Sequence, residues 1–306
     1  MKENMTEKQK KEITELIGEE NIRFEEPMNK HTTFRIGGNA ECFVCVQSTK
    51  EMDLLTDYCR KEDIPFFLLG KGSNILVGDK GIPGVVAYFG EEMSSITVKE
   101  NMIIAEAGAT LAAVANTALQ KGLTGFEFAA GIPGSVGGAL RMNAGAYGGE
   151  MSQVVEWVRV LAPDGEIKTL TNEEMRFSYR FSVLQEVDYI ALAAGILLEP
   201  GDEKAIRMAM FELANRRKEK QPLEYPSAGS TFKRPEGYFA GKLISEAGLS
   251  GVRIHDAVVS EKHNGFIVNE GCATAEDVQR LIEIVRRKVY EQSGVLLEPE
   301  IIMVGE

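Results

Sequence analysis

The 306-residue sequence is poor in cysteine, with four residues at positions 42, 45, 59 and 272. A disulfide-stapled secreted domain of this size needs more, so the count points to a reducing compartment and makes the cytoplasm the expected location. Long apolar runs are missing as well. None approaches the ~18 residues of a membrane span, and the charged start Met1-Lys2-Glu3-Asn4-Met5-Thr6-Glu7-Lys8 is unlike a signal peptide. Positive charge is in deficit: 34 basic against 46 acidic side chains leave a net charge of −12. That field repels nucleic acid and anionic membrane, so neither is an expected partner, and an anionic ligand must be held by local groups. The three histidines, His31, His255 and His263, have no metal-ligand spacing and no Ser or Cys nucleophile signature beside them. Cys42 and Cys45 form a C-x-x-C, but in a strand they face opposite ways and no second pair exists, which argues against a metal site. Internal repeats, low-complexity tracts and sustained heptads are absent.

What is present is the composition of an ordinary globular protein, 44% hydrophobic and 26% charged, long enough for about two domains. A mostly polar helix over 5–17, with Ile13, Leu16 and Ile17 as its stripe and Gly18 as its stop, reads as peripheral. Strands over 40–47 and 66–69 flank a helix over 50–60 that opens with the capping pair Ser48 and Glu51. A strand over 85–89, a hairpin of 96–99 with 102–106, and a helix over 111–121 closed by Gly122 follow. Pro163-Asp164-Gly165 turns a strand over 157–161 into one over 167–170, and 189–198 is a further apolar strand. An amphipathic helix over 203–218 runs into the basic stretch Arg216-Arg217-Lys218-Glu219-Lys220, and the main domain boundary is expected before it, near residue 200. The clearest helix starts at Thr274 and carries Val278, Leu281, Ile282, Val285 and Val289 on one face. The pattern is α+β.

Three segments could carry chemistry. In Leu69-Gly70-Lys71-Gly72-Ser73-Asn74, glycines free the backbone N–H groups to approach an anion and Ser73 and Asn74 add donors, so the loop could cradle a pyrophosphate. It fails the Walker pattern because Gly72 separates Lys71 from Ser73, and the G-x-G-x-x-G pattern because Ile75 fills the sixth place. On this segment alone a tight strand connection is the simpler reading. Nine glycines lie from Gly122 to Gly149, including Gly131-Ile132-Pro133-Gly134-Ser135-Val136-Gly137-Gly138 and Met142-Asn143-Ala144-Gly145-Ala146-Tyr147-Gly148. Backbone against a flat ligand and close packing of loop on sheet explain them equally well. In Ser227-Ala228-Gly229-Ser230-Thr231-Phe232-Lys233-Arg234, a hydroxyl is followed by two cations, which suits proton transfer on an anionic substrate; a backbone-bonding serine and solvated charges are the alternative.

Taken together, these segments resemble the UDP-N-acetylenolpyruvoylglucosamine reductase family of flavoenzymes. The matching pieces, in the family's order, are Thr32-Thr33-Phe34-Arg35-Ile36-Gly37-Gly38, Gly70-Lys71-Gly72-Ser73-Asn74, the 132–138 and 142–148 segments, Tyr179-Arg180, Ala228-Gly229-Ser230 and Leu297-Glu298-Pro299-Glu300. The resemblance implies an FAD-binding fold of the vanillyl-alcohol-oxidase type. Its FAD-binding domain would span 21–200, as subdomains of about 21–90 and 91–200, after an N-terminal helix over 1–20. A substrate-binding α+β domain would fill 201–306, with a last strand near 299–306 returning toward the flavin.

It also implies that NADPH reduces bound FAD, which reduces the enolpyruvyl ether of a UDP-sugar to UDP-N-acetylmuramate in peptidoglycan precursor synthesis. Leu69, Gly70, Lys71, Gly72, Ser73 and Asn74 match the pyrophosphate cradle; Gly134, Ser135, Gly138, Asn143, Gly145 and Ala146 match the flavin lining. Arg180, Ser230 and Glu300 fall on catalytic positions, the first and last to stabilise negative charge on the substrate carboxylate and Ser230 to deliver a proton. Lys220 falls on the lysine that meets the substrate phosphates, with Tyr179, Gly229, Lys233 and Arg234 as further substrate neighbours. Only a short stretch separates Arg180 from the next strand, so the chain resembles the family's shorter class, as do Phe239-Ala240-Gly241-Lys242 and Ser260-Glu261-Lys262-His263, which make Lys242 and His263 expected substrate neighbours. Arg141 stands where the pattern has an apolar or small residue. Two alternatives share the cofactor segments: a polyol oxidase, and a UDP-sugar or flavin binder without activity.

Overall fold

The computed structural model describes residues 4–306, so the expected N-terminal unit is covered from residue 4 onward. Thr6 accepts from the Gln9 N–H while the Gln9 side chain accepts from the Thr6 N–H, and this capping box opens α1, Glu7–Ile17. Its buried Ile13 and Ile17 pack against α2, Thr49–Lys61, whose cap Ser48 accepts from the Glu51 N–H at 3.2 Å. The first sheet runs in the order β1 (Ile22–Pro27), β2 (Asn39–Val46), β5 (Ile82–Phe89), β3 (Phe66–Leu69). β2, β5 and β3 are parallel, which needs a crossover, and α2 supplies it between β2 and β3. Alternation along β2 sends Cys42, Val44 and Val46 into the main core and Phe43 into a smaller one, so Cys42 and Cys45 point apart. All four thiols are free.

The smaller core is roofed by β4 (Ile75–Val77) and β18 (Ile302–Val304), paired in parallel with Ile302 opposite Ile75. The second sheet is antiparallel, ordered β12 (Ile167–Thr171), β11 (Val155–Leu161), β13 (Ile190–Leu197), β7 (Met102–Glu106), β6 (Ile96–Lys99). α3 (Leu111–Gln120) and α4 (Val136–Arg141) close its inner side, and the two sheets share one core. Short pairs complete this part: β8 (Leu123–Thr124) with β14 (Glu199–Pro200), and β9 (Gly145–Ala146) with β10 (Gly149–Glu150).

The helix after residue 200 differs from expectation. α5, Glu203–Lys220, buries only Ile206 fully, with Met210, Leu213 and Arg217 half-buried along the same seam, while Met208 and Phe211 lie 72% and 68% exposed. Its apolar residues are split between a narrow inner seam and the outside, so it is weakly amphipathic. The seam packs on α3, β8 and the turn over 127–129, all in the preceding part of the chain. A division near residue 200 therefore separates this helix from its packing partners.

The last core starts at Ala228. β15 (Arg253–Ile254), β16 (Ala257–Val259) and β17 (Ile267–Asn269) form an antiparallel sheet against α6 (Ala240–Glu246) and α7 (Ala275–Ser293). Thr274 and Asp277 make the capping box of α7, Val278, Leu281, Ile282, Val285 and Val289 are its buried stripe, and Gly294 at φ +71° ends it. This core also takes in Phe34, Ile36 and Leu76 from the first unit. Asp79, beyond β4, accepts from the Ala275 and Glu276 N–H groups at 2.8 and 3.0 Å, capping α7 from across the joint. Among the described residues no helix is long and apolar enough to cross a membrane.

Candidate active site

β3 ends at Leu69, whose side chain is buried, so only its main chain is available to a ligand. The following loop is fixed by packing at Gly72: φ is +60° and a Cβ there would lie 2.1 Å from the His31 carbonyl oxygen. A Cβ at Gly70 would lie 2.9 Å from Ser135 Oγ, so the loop faces the start of α4, where that hydroxyl accepts from the Gly138 N–H at 3.4 Å. Gly134 and Gly138 differ from Gly72. Neither has a positive φ, and a Cβ would make only ordinary contacts, with Leu111 Cδ1 at 3.6 Å and Ile132 Cγ2 at 3.9 Å at Gly134, and with Ser135 Oγ at 3.5 Å at Gly138. Neither backbone strain nor internal packing demands glycine there. The room they leave, facing the Gly70–Asn74 loop, fits a flat ligand with attached phosphates, as the expected FAD requires.

Other residues of these segments work inside the protein. Lys71 Nζ donates to the Tyr88 hydroxyl at 2.5 Å and lies 5.0 Å from its ring centroid. Asn74 Nδ2 donates to the Glu300 carbonyl oxygen at 3.3 Å, and Asn74 O accepts from the Ile302 N–H at 2.9 Å, tying the loop to the chain's last strand. A Cβ at Gly145 would lie 2.7 Å from the Gly149 carbonyl oxygen, so the β9–β10 hairpin itself demands that glycine. Asn143 is fully buried, its Nδ2 donating to Ser178 O at 3.0 Å and its Oδ1 accepting from the Ser152 N–H at 2.9 Å. It braces the turn that carries Arg180.

That turn is tight. The Ser178 and Phe181 N–H groups each donate to the other residue's carbonyl at 3.1 Å, and Arg180 between them takes φ +55°. A non-glycine residue in this left-handed region costs on the order of 1–3 kcal/mol, which surrounding contacts must offset. Ser182 Oγ and Gln185 Nε2 both donate to the Arg141 carbonyl, at 3.0 and 2.7 Å. The Arg141 guanidinium turns away from the glycine-lined room to donate to Leu184 O, and its burial pulls its pKa down.

Ser230 and Glu300 meet through main-chain pairing of two distant stretches. The Glu300 N–H donates to Thr231 O and the Lys233 N–H to Glu298 O, both at 2.8 Å. On the other side the Thr231 N–H donates to Gly265 O at 2.8 Å, and Thr231 Oγ1 accepts from the Ile267 N–H at 2.9 Å. Arg180 Nε donates to Glu300 Oε1 at 2.5 Å, with the two side chains only 23% and 11% exposed. Burial raises the Glu300 pKa, and the pull of Arg180 and Lys233 the other way does not cancel it.

A cavity of about 390 Å³ opens here, lined by Tyr179, Arg180, Ser230, Arg234, Lys242, His263 and Glu300. Seven expected site residues thus share one space. The Tyr179 hydroxyl accepts from the Arg234 N–H at 3.1 Å, and the Arg234 guanidinium lies 4.1 Å from the Phe239 ring centroid. His263 Nδ1 accepts from the Gly265 N–H at 3.2 Å and burial lowers its pKa, which favours a neutral ring with its proton on Nε2. Lys220, Gly229 and Lys233 stand outside the lining: Lys220 is exposed at the end of α5, Gly229 at φ +77° has nothing within 4 Å of a Cβ, and Lys233 pairs with Glu298 at 3.4 Å. Sequence reasoning missed Phe232, Phe239 and Asn264 in the lining. It gave Arg217 no role beyond membership of a basic stretch, whereas this half-buried side chain lies on Gly131, 3.3 Å from Cδ to a Cβ there. The inner seam of α5, reaching Arg217 eleven residues after Ile206, was the signal that could have found it.

Comparison with known proteins gives matching results. Residues 221–304 match the family profile "UDP-N-acetylenolpyruvoylglucosamine reductase, C-terminal domain", and residues 40–171 match "FAD binding domain". The chain is 54% identical to the UDP-N-acetylenolpyruvoylglucosamine reductase of Caldanaerobacter subterraneus subsp. tengcongensis, over 96% of this chain and 97% of that one. It superposes on the crystal structure of the corresponding reductase (MurB) from Thermus caldophilus with a TM-score of 0.79 and 36% identity, covering 92% of this chain and 98% of that one. A Phl p 4 variant described as a glucose oxidase shares the fold alone, at a TM-score of 0.50 and 13% identity over 64% of this chain and 45% of that one.

Proposed function

This chain belongs to the UDP-N-acetylenolpyruvoylglucosamine reductase family, an FAD-dependent oxidoreductase of peptidoglycan precursor synthesis with NADPH as hydride donor, and from that premise we propose what its residues do. FAD, when bound, would supply the hydride that it takes from NADPH, for addition at the terminal carbon of the enolpyruvyl ether. Main chain at residues 70–74, 134, 135 and 138 would hold the diphosphate and the ring, with Ala146 beside it and Asn143 and Gly145 bracing these segments from inside the protein.

As hydride adds, charge builds on the substrate carboxylate. Arg180 meets it as a planar permanent cation, and Glu300, in its protonated form, donates to it. Ser230 delivers a proton to the other carbon of the former double bond. Arg234, Lys242 and the Nε2–H of His263 bind the anionic remainder of the UDP-sugar, with Lys220 reaching its phosphates from the end of α5 and Tyr179 and Phe239 walling the mouth. Lys233 acts from behind, through the field it exerts on Glu300. The four free thiols support a reducing location, and we place the enzyme in the cytoplasm.

One observation carries this reading: a guanidinium, a hydroxyl and a carboxyl from stretches up to 120 residues apart line one cavity, two of them bonded at 2.5 Å. The polyol-oxidase and inactive-binder alternatives fall away, because the full-length relative is a named reductase whereas the oxidase likeness stops at the fold. Anaerobic reduction of the holoenzyme by NADPH, followed by the enolpyruvyl sugar, tests it. The parent should bleach and recolour, and Arg180→Ala should recolour on the order of 10² times more slowly; parental recolouring by that variant would reject the role of Arg180.

A further inference from the structure

Arg180 takes a main-chain conformation that side chains rarely adopt, and neighbouring side chains hold it there. Its guanidinium meets Glu300 from the turn over 178–181, in which Arg180 takes φ +55°. One side chain touches both that residue and the glycine-rich segment that lines the cofactor room. Gln185 Nε2 donates to Arg180 O at 2.9 Å and to Arg141 O at 2.7 Å. Two carbonyl oxygens converging on one amide end can accept only from its NH2, so the orientation is fixed by chemistry and both protons are used. Ser182, fully buried, gives Arg141 O its second donor, and Asn143 braces Ser178 from the same segment.

We propose that Gln185 is a positioning residue for Arg180: by clamping the Arg180 carbonyl to the Arg141 carbonyl, it holds the left-handed turn in register with the flavin-lining segment and so sets the guanidinium against Glu300. Gln185 is exposed, yet its amide end satisfies two carbonyls 39 residues apart in sequence, one of them belonging to the strained residue itself. Without the clamp the turn gains freedom, and the bond to Glu300 loosens. Arg180 and Lys233 pull the Glu300 pKa down, while Arg234, Lys242 and His263 line the same cavity. Loosening Arg180 removes the strongest downward pull, so Glu300 holds its proton to higher pH.

The inference rests on Arg180 acting at the substrate carboxylate. Its test uses the FAD-loaded enzyme with Gln185→Leu, neutral and similar in size, beside Arg180→Ala. In Gln185→Leu, bleaching by NADPH should stay within about twofold of the parent while recolouring by the sugar slows about tenfold, a loss of about 1.4 kcal/mol in transition-state stabilisation. The Glu300 carboxyl band, isolated in the infrared as a difference against Glu300→Gln, should titrate at higher pH than in the parent. Ser182→Ala should move both readouts the same way by less, and it serves alone should Gln185→Leu fail to fold. Equal slowing of both half-reactions, or an unmoved Glu300 titration, overturns the positioning role while leaving Arg180 in place. Normal recolouring by Arg180→Ala removes the parent reading and this one together.

Discussion

The room proposed for the cofactor and the cavity proposed for the substrate are built on opposite plans. The room is made of main chain, from two glycine-dense stretches whose spacing is local, and its shape comes from side chains left out at Gly134 and Gly138. The cavity is made of side chains contributed by stretches around residues 180, 230 and 300, brought together by pairings such as Glu300 N–H to Thr231 O at 2.8 Å. The first plan tolerates sequence drift as long as nothing projects into the space. The second requires particular functional groups and a frame that holds them.

Adding a side chain to the room should break the contrast most sharply. Gly138→Val should leave a folded protein, since the new Cβ meets only Ser135 Oγ at 3.5 Å, yet it should weaken FAD uptake at least a hundredfold, measured by titrating apoprotein with FAD. That loss, about 2.7 kcal/mol, is two factors of ten. Parental affinity would mean that the glycines serve packing alone.

The cavity should respond to proton content instead. Burial raises the Glu300 pKa, so the folded state binds its proton more tightly than the unfolded state does, and this linkage stabilises the fold fully below the unfolded value of about 4.3. The contribution is lost as pH rises through the folded pKa. Urea unfolding from pH 4 to 8 should show the parent losing stability relative to Glu300→Gln over that window; the opposite slope would mean that Arg180 outweighs burial. Sugar reduction should fall over the same window as Glu300 ionises, and Glu300→Gln should flatten that limb.

The smallest effect concerns the joint between the two plans. Asp79→Ala removes the cap that α7 receives from across the joint, leaving its own Thr274–Asp277 capping box, and should cost about 1 kcal/mol in urea unfolding without altering the flavin spectrum. A shifted spectrum would show that the last core reaches the cofactor room through this contact.

These two plans also explain what was legible beforehand. Periodicity and caps located β3, the β6–β7 hairpin, α3 and α7, because local hydrogen bonding and one-sided burial decide them. α5 was misjudged because its apolar residues serve two faces, and its packing partners lie across the expected boundary. The glycine segments announced themselves by composition, though only the structure separates Gly72 and Gly145, where a Cβ would collide with main chain, from Gly134 and Gly138, where it would not. Nothing in the local sequence joins Arg180 to Glu300, 120 residues away; family resemblance alone pointed to both. Gln185 left no trace, since a side chain bonded to main-chain carbonyls has no pattern to read.

The most direct test of the central claim, that side chains gathered from distant stretches stabilise charge and deliver the proton while a cofactor held by main chain supplies the hydride, is the anaerobic two-step experiment on Ser230→Ala. The account predicts that NADPH bleaches its flavin at the parental rate and that the enolpyruvyl sugar then restores the colour on the order of 10³ times more slowly. Recolouring at the parental rate would contradict it.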